Sequence, residues 1–357
     1  MSLGRDRAVV VTGGAGFIGS NLADALLRAG ERVIVFDNLS RPGVEQNLRW
    51  LMQRHPGGLE VEIGDIRDAE RVARVVSRAH TVFHLAAQVA VTSSVVDPLH
   101  DFAVNAQGTL NVLLAARGSG DPPVVLYTST NKVYGALVGV PVVLNGTRYL
   151  FEDRRPGITE DQPLDFHSPY GCSKGAADQY VRDYARIYGL PTCVFRMSCI
   201  YGPRQFGNED QGWVAHFVIS ALSGRPITLY GDGKQVRDIL FVDDLIELML
   251  LAAERARATS GRIYNVGGGE QNAISLVELL DLLERELGRR IQRVHAPWRP
   301  GDQRVYISDI EKLRRELGWV PRVTKEEGIR RLIAWIEEHA AFLIANGATR
   351  ARQPLSA

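Results

Sequence analysis

The chain has 357 residues, enough for two domains or for one large α/β unit with a smaller lobe. Its hydrophobic content of 45% and charged content of 23% are typical of a globular enzyme. A formal net charge of +1 excludes a general electrostatic attraction to nucleic acid or to an anionic membrane, so we expect neither as a partner.

The first half of the chain alternates short apolar strands with amphipathic helices. Strands are predicted at 8–11, 32–36, 60–63, 81–85, 124–127 and 192–197, and helices at 17–27, 69–76, 98–116 and 169–188. The strands are continuous apolar runs, which is typical of strands covered on both faces. The pattern predicts an α/β fold with a doubly wound parallel sheet, the Rossmann arrangement.

The second half is less regular and predicts a smaller, interleaved α/β lobe for the substrate. A loop is predicted at 207–212, helices at 214–223, 244–254 and 275–287, and strand and turn signals at 227–241. Ser275 and Glu278 form a capping-box pattern. We assign 1–202 and 236–266 to the dinucleotide-binding domain, 203–235 and 267–345 to the substrate lobe, and 346–357 to a frayed tail. Residues 136–163 are expected to form an insertion near the mouth of the site.

The three cysteines, Cys172, Cys193 and Cys199, are odd in number and lack C-x-x-C spacing. This favours a reducing compartment without disulfides, and no His or Cys nearby completes a zinc pattern, so no metal is expected. The start of the chain lacks the apolar core of a secretion signal, and no apolar run is long enough to cross a membrane. We therefore expect a cytoplasmic protein.

A glycine-rich turn after the first strand predicts a dinucleotide site. Gly13, Gly16 and Gly19 follow G-x-x-G-x-x-G spacing, with Phe17 and Ile18 at the start of the next helix. Glycines permit a close approach of a pyrophosphate, and the helix N-terminus favours its charge. Asp37, at the end of the second strand and followed by Asn38, is placed to bind a ribose, which favours NAD over NADP. Arg41, close to the same turn, keeps NADP open as an alternative.

Two further segments are candidates for contacts with the same cofactor. Asp65 and Ile66 follow the third strand, where they could receive the adenine amino group, although Asp65 could equally cap a helix. Leu85, Ala86 and Ala87 end the fourth strand with mostly small side chains, which would let a cofactor lie against the backbone.

Three residues form a candidate catalytic set. Ser168 and Pro169 are predicted as the N-cap and first residue of a helix, which places Tyr170 and Lys174 one turn apart on one face. A phenol beside an ammonium group can exchange a proton with a sugar hydroxyl while the carbon exchanges a hydride with NAD. Thr130, after the 124–127 strand, can hydrogen-bond to the same sugar oxygen.

Together these residues resemble the extended short-chain dehydrogenase/reductase family of nucleotide-sugar enzymes, over the chain from Val9 to about His339. The resemblance implies that Thr130, Tyr170 and Lys174 are catalytic and that NAD stays bound through the cycle. It also implies a nucleotide-diphosphate sugar as substrate and a homodimer formed through the helices at 98–116 and 169–188.

Four segments (128–135, 164–174, 205–213 and 231–244) resemble the branch of that family that inverts C2 of a CDP-sugar, the CDP-paratose/CDP-tyvelose type. The family's dehydratases usually carry acids after the catalytic hydroxyl, where this chain has Asn131 and Lys132. The resemblance implies a set of substrate-binding residues: Asn131, Lys132, Cys199, Asn208, Gln211, Trp213, Arg237, Arg299 and Asp302. Arg237 and Arg299 would hold the diphosphate, with Asp302 near the nucleotide ribose.

These observations predict an NAD-dependent nucleotide-sugar epimerase that oxidises a sugar carbon to a ketone and returns the hydride to the other face. The expected position is C2 of a CDP-sugar. A UDP-sugar 4-epimerase is the first alternative, because many 4-epimerases use the same catalytic set. A non-catalytic NAD-binding sensor is a second alternative, against which the intact catalytic set argues.

Overall fold

A computed structural model describes residues 7–299 and 302–339. The tail predicted at 346–357 and the first six residues lie outside the described residues. The strands are β1 (Ala8–Thr12), β2 (Val33–Asp37), β3 (Leu59–Ile63), β4 (Ala79–His84), β5 (Val124–Thr130), β6 (Val142–Asn145), β7 (Arg148–Phe151), β8 (Thr192–Met197), β9 (Cys199–Tyr201), β10 (Ile227–Tyr230), β11 (Val236–Phe241), β12 (Arg262–Val266), β13 (Ala273–Ser275), β14 (Arg293–Ala296) and β15 (Val305–Tyr306).

The helices alternate with these strands through the first two thirds of the chain. They are α1 (Phe17–Arg28), α2 (Val44–Arg54), α3 (Ala69–Val76), α4 (Val91–Val96), α5 (Pro98–Phe102), α6 (Gly108–Gly118), α7 (Ser168–Tyr188), α8 (Trp213–Leu222), α9 (Val242–Glu254), α10 (Ala256–Thr259), α11 (Leu276–Leu287), α12 (Glu311–Leu317) and α13 (Lys325–Glu338). No helix among the described residues is long and apolar enough to cross a bilayer.

Seven strands form the main sheet in the order β12-β8-β5-β4-β1-β2-β3, and every neighbouring pair is parallel. Alternate residues of each strand enter two different cores. Val9 and Val11 pack with α1, α2 and α9 on one face, whereas Val10 packs with α3, α6 and α7 on the other. Burial on both faces explains the continuous apolar runs, and the predicted doubly wound sheet is confirmed.

A smaller region contains the remaining strands. β11 pairs with β9, β13 and β15, and a third core lies among α8, α11 and α13. The predicted capping box holds, since Ser275 Oγ accepts from the Glu278 N–H and the Glu278 carboxylate accepts from the Ser275 N–H. β11 lies in the segment 236–266, which was assigned from sequence to the dinucleotide-binding domain. Its hydrogen-bonded partners nevertheless belong to the small region. The division into two lobes stays a prediction.

The insertion at 136–163 contains the β6–β7 hairpin, which packs against the small region. The Tyr149 N–H donates to the Lys234 carbonyl, and Ser275 Oγ donates to the Thr147 carbonyl. The hairpin thereby supports β11 and β13 from outside, and β11 carries Arg237.

The segment predicted as a helix at 98–116 is helical throughout, but it is not one regular α-helix. The segment is α5, then a π-helical turn at Ala103–Gln107, then α6. The wider turn places Asn105, a buried residue, between two elements. Its Nδ2 donates to the Gln88 carbonyl at 3.0 Å and lies 3.1 Å from Ser173 Oγ, and its Oδ1 accepts from the Gln88 N–H at 2.9 Å. These bonds tie the end of β4 to α7 and explain why the regular helix is interrupted.

Candidate active site

The glycine turn after β1 is too crowded for side chains. Gly13 has a φ of +69°, and a Cβ there would lie 2.8 Å from the Ala86 backbone nitrogen. A Cβ on Gly19 would lie 2.2 Å from the Gly13 carbonyl oxygen. No side chain caps the N-terminus of α1, which begins at Phe17 after Gly16. An uncapped helix start behind a glycine cradle is the arrangement that suits a pyrophosphate.

Asp37 lies at the carboxyl end of β2, next to that cradle. Its Oδ2 accepts from the Ala15 N–H at 3.0 Å and its Oδ1 from the Leu39 N–H at 2.8 Å. Burial raises the pKa of this carboxyl, and its two backbone hydrogen bonds and the nearby Arg41 oppose the rise. A carboxylate fixed in this position suits a ribose diol and disfavours a 2′-phosphate, as NAD requires.

Asn38, Asp65 and Ile66 lie beside Asp37. Asn38 Nδ2 donates to Asp65 Oδ2 at 3.0 Å, and hydrogen bonds from Arg67 hold the pKa of Asp65 well below its usual range. The alternative that Asp65 caps a helix is wrong, because Asp68 caps α3. Ile66 is buried. The segment after β4, formed by Leu85, Ala86 and Ala87, is half-buried, and its backbone lies against Gly13. The predicted adenine contact of Asp65 and Ile66 stays a prediction.

The candidate catalytic residues converge on the carboxyl end of β5. Tyr170 and Lys174 share the buried face of α7, and the Thr130 side chain lies close enough to the Tyr170 hydroxyl to oppose the effect of burial on its pKa. Burial raises the pKa of Tyr170 to about 12, so the phenol is neutral in the protein without ligands. The predicted N-cap at Ser168 is wrong by one residue, because α7 begins at Ser168 after His167. Ser168 Oγ nevertheless accepts from the Gly171 N–H at 3.3 Å.

Lys174 is held by neighbours that its sequence position does not indicate. Its Nζ donates to the Thr128 carbonyl at 2.6 Å and lies 4.3 Å from the centroid of the Tyr127 ring. Burial lowers its pKa to about 7. An ammonium in this position is already orientated toward the end of β5, where Thr130 lies.

Sequence reasoning missed a polar network under α7. The Ser173 hydroxyl donates to the Asp101 carboxylate, Asn105 Nδ2 donates to the other Asp101 oxygen at 3.1 Å, and Ser94 Oγ accepts from the Tyr170 N–H at 3.1 Å. All four side chains are buried. The spacing of Asp101 and Asn105, one helical turn apart in an otherwise apolar pattern, was the sequence signal that could have indicated buried polar partners. The network fixes α7 and hence the position of Tyr170.

Asn131 continues the catalytic hydrogen bonds into the small region. The Thr130 hydroxyl donates to Asn131 Oδ1 at 3.4 Å, and Asn131 Nδ2 donates to Gln303 Oε1 at 3.5 Å. Gln303 Nε2 donates to the Gly135 carbonyl at 2.6 Å. Since Asn131 and Gln303 are far apart in sequence, the pairing could not be read from local pattern.

Lys132 and Arg237 share one carboxylate. Arg237 Nη2 lies 2.6 Å from Asp302 Oδ1, and Lys132 Nζ lies 3.9 Å from the same oxygen. Burial, and then the charge of Arg237, lower the pKa of Lys132, while Asp302 opposes them. Two cations facing one anion leave an excess positive charge, which suits a phosphate group.

The remaining predicted substrate residues surround a loop at 207–212. Trp213 Nε1 donates to Cys199 Sγ at 3.3 Å, and burial raises the pKa of that thiol. Asn208 and Gln211 form a β-bridge, and Arg41 donates to Gln211 Oε1. The loop therefore contacts both the cofactor turn after β2 and the small region.

The side chain of Arg299 contacts other residues than the Arg237–Asp302 pair. Its guanidinium carbon lies 3.9 Å from the centroid of the Tyr230 ring, and its Nη2 donates to the Glu209 carbonyl at 3.2 Å. The expected joint action of Arg237 and Arg299 on one diphosphate stays a prediction.

Comparison with known proteins agrees with this geometry. The chain matches the family model of GDP-mannose 4,6 dehydratase over residues 10–332. It is 45% identical to the CDP-paratose 2-epimerase of Salmonella typhi over 334 residues, which are 92% of this chain and 98% of the relative.

Solved structures with bound nucleotides share the fold. The UDP-glucose 4-epimerase of Thermotoga maritima with UDP-glucose has a TM-score of 0.80 and 33% identity, covering 93% of this chain and 99% of that one. The dTDP-glucose 4,6-dehydratase of Streptomyces venezuelae with NAD bound has a TM-score of 0.80 and 32% identity, covering 94% and 98%. The chain therefore belongs to the extended short-chain dehydrogenase/reductase family of NAD-dependent nucleotide-sugar epimerases and dehydratases.

Proposed function

We propose that this protein is an epimerase that inverts C2 of a CDP-sugar. The observation that carries the proposal is the pair that follows Thr130. Asn131 and Lys132 follow Thr130, whose side chain lies close to Tyr170, and Lys132 faces the Arg237–Asp302 pair. An amide and a cation do not perform the acid–base steps of water elimination at neutral pH, whereas inversion needs neither acid. The identity to a CDP-paratose 2-epimerase supports the same choice.

The residues of the site have two functions, proton transfer and binding of the substrate. NAD, when bound, accepts and returns the hydride and brings a positive charge close to the phenol. Tyr170 takes the proton of the sugar hydroxyl and returns it after the sugar has presented its other face. Thr130 orientates that hydroxyl, and Lys174 is placed to hold the nicotinamide ribose. A firm hold on the diphosphate would let the sugar turn without leaving the protein.

The proposal is tested by incubating the NAD-loaded protein with CDP-sugars and UDP-sugars and locating the inverted carbon by NMR. We expect inversion at C2 of a CDP-sugar. The same reaction in D₂O should leave the inverted carbon free of deuterium, because the hydride returns from the cofactor. Deuterium at that carbon would contradict the internal return of hydride.

A second candidate is a UDP-sugar 4-epimerase, which the similarity to the Thermotoga maritima enzyme favours. The catalytic set is compatible with either carbon, because it acts on whichever hydroxyl is brought to it. Inversion at C4 of a UDP-sugar, with CDP-sugars unchanged, would replace the first proposal by this one.

A further inference from the structure

We infer that the ammonium group of Lys132 binds the sugar-bearing phosphate of the substrate, and that this contact places C2 rather than C4 beside Thr130 and Tyr170. The phosphate contact is independent of the carbon that reacts, whereas the selection of C2 rests on the proposed function.

The position of Lys132 is fixed relative to the catalytic hydroxyls. It follows Thr130 by two residues, and its backbone N–H donates to Thr130 Oγ1 at 3.3 Å. That bond belongs to a turn of 3₁₀-helix at Asn131–Tyr134, which Thr130 caps. The turn fixes the backbone of Lys132 beside Thr130, so its ammonium group stays within side-chain reach of the reacting oxygen.

The side chain of Lys132 is enclosed, and its ammonium group makes no hydrogen bond to the residues at 7–299 and 302–339. It is 29% exposed, and its Nζ lies 3.9 Å from Asp302 Oδ1, beyond the range of a hydrogen bond. The contact with Asp302 therefore does not commit the three N–H donors of the ammonium group. Arg237 differs, because its guanidinium donates to Asp302 at 2.6 Å and to the Val236 carbonyl at 2.8 Å. An enclosed ammonium with uncommitted donors is satisfied best by an anionic oxygen.

The geometry of a nucleotide sugar turns this contact into a selection of the reacting carbon. C2 is bonded to the anomeric carbon that carries the phosphate, whereas C4 lies across the ring. If C4 reacts, the whole ring separates the phosphate from the catalytic hydroxyls. If C2 reacts, the phosphate must lie close to them. A cation whose backbone is hydrogen-bonded to Thr130 matches the second case.

The phosphate contact is tested by calorimetry on the NAD-loaded protein with CMP, CDP, UMP and UDP. Adding the second phosphate should raise the affinity of the wild-type protein. In Lys132→Met the ratio of diphosphate to monophosphate affinity should shrink by about tenfold or more, because a charge-assisted hydrogen bond is lost. The affinity for the monophosphates should stay unchanged. Lys132→Arg should restore most of the gain.

Lys325→Met is the matched control, because Lys325 makes its hydrogen bond to the Gln271 carbonyl in the turn before β13 and lies outside the candidate site. It should leave all four affinities unchanged. An equal loss of monophosphate and diphosphate affinity in Lys132→Met, or no loss at all, would overturn the phosphate contact.

The choice of carbon is tested by NMR of the products formed by the wild-type protein and Lys132→Met from the same CDP-sugar. The variant should lose its preference for C2 over C4 as well as the extra affinity that the second phosphate gives the wild-type protein. A variant that stays strictly selective for C2 would refute the role in selection. A wild-type protein that inverts C4 alone would instead overturn the proposed function and this selection together, and the calorimetry would still decide the phosphate contact.

Discussion

At the scale of single residues, we expect turnover to depend on the phenol of Tyr170. Tyr170→Phe should lower kcat by about 10²- to 10⁴-fold, because the proton loses its acceptor, and should leave the NAD dissociation constant within a few-fold of wild type. Steady-state kinetics and NAD titration measure the two effects. Tyr180→Phe, an exposed tyrosine on the same helix, is the control and should keep full activity. Unchanged turnover in Tyr170→Phe would rule against the assigned base.

The lowered pKa of Lys132 gives a second prediction at this scale. Only the protonated amine binds a phosphate, and burial makes Lys132 lose its proton at a lower pH than an ordinary lysine, whose pKa is about 10.4. Arg237, Asp302 and Cys199 face the ammonium, and the Cys199 thiol has a raised pKa. The affinity for a nucleotide-diphosphate sugar should therefore fall as pH rises through this lowered pKa, by up to about tenfold per pH unit.

Calorimetry across the alkaline range measures this fall. Lys132→Arg supplies the comparison, because a guanidinium does not titrate there and should keep the affinity level. A wild-type affinity that stays constant up to the usual range of lysine would contradict the expectation.

At the scale of elements, the glycine turn joins β1 to α1 so tightly that one methyl group should disrupt it. A Cβ on Gly19 would lie 2.2 Å from the Gly13 carbonyl oxygen. Gly19→Ala should destabilise the fold by about 1–3 kcal/mol through this clash and weaken NAD binding at the same turn. Gly118→Ala, at the end of α6 with no atom within 4 Å of its added Cβ, should be neutral or slightly stabilising. Thermal unfolding and NAD titration distinguish the two; equal behaviour of both variants would contradict the steric argument.

Local pattern predicted the elements that depend on periodicity, and it failed where distant partners decide. Six of the seven strands of the main sheet and the capping box at Ser275 follow from nearest neighbours along the chain, whereas the edge strand β12 was not predicted. The π-helical turn around Asn105 depends on Gln88 and Ser173, and the partners of Lys174 lie on β5. Helical periodicity contains no information about such contacts. Candidate catalytic residues could be named from sequence and their roles stay predictions, but the hydrogen bonds that position them could not be named.

At the scale of the whole molecule, apolar side chains lie exposed on α4, α5 and α7. Val96 is 83% exposed and Leu99 82%, and Ile187 on α7 is 65% exposed. α4 and α5 both pack against α7, so these side chains belong to neighbouring helices. A homodimer through the helices at 98–116 and 169–188 would bury exposed apolar side chains of this kind, and it stays a prediction.

We expect Val96→Asp to weaken that dimer. A twofold interface contains the substituted residue twice, so the loss of two buried valines costs roughly 3 kcal/mol, about a hundredfold in the dimer Kd, before the cost of burying two carboxylates is added. Val138→Asp is the matched control, because Val138 is 90% exposed and lies in the loop before β6. Sedimentation over a concentration series should show a dimer for the wild type and Val138→Asp, and a dimer that dissociates at higher concentration for Val96→Asp. A wild-type monomer at micromolar concentration, or equal dimer affinities in all three proteins, would place the subunit contact elsewhere or remove it.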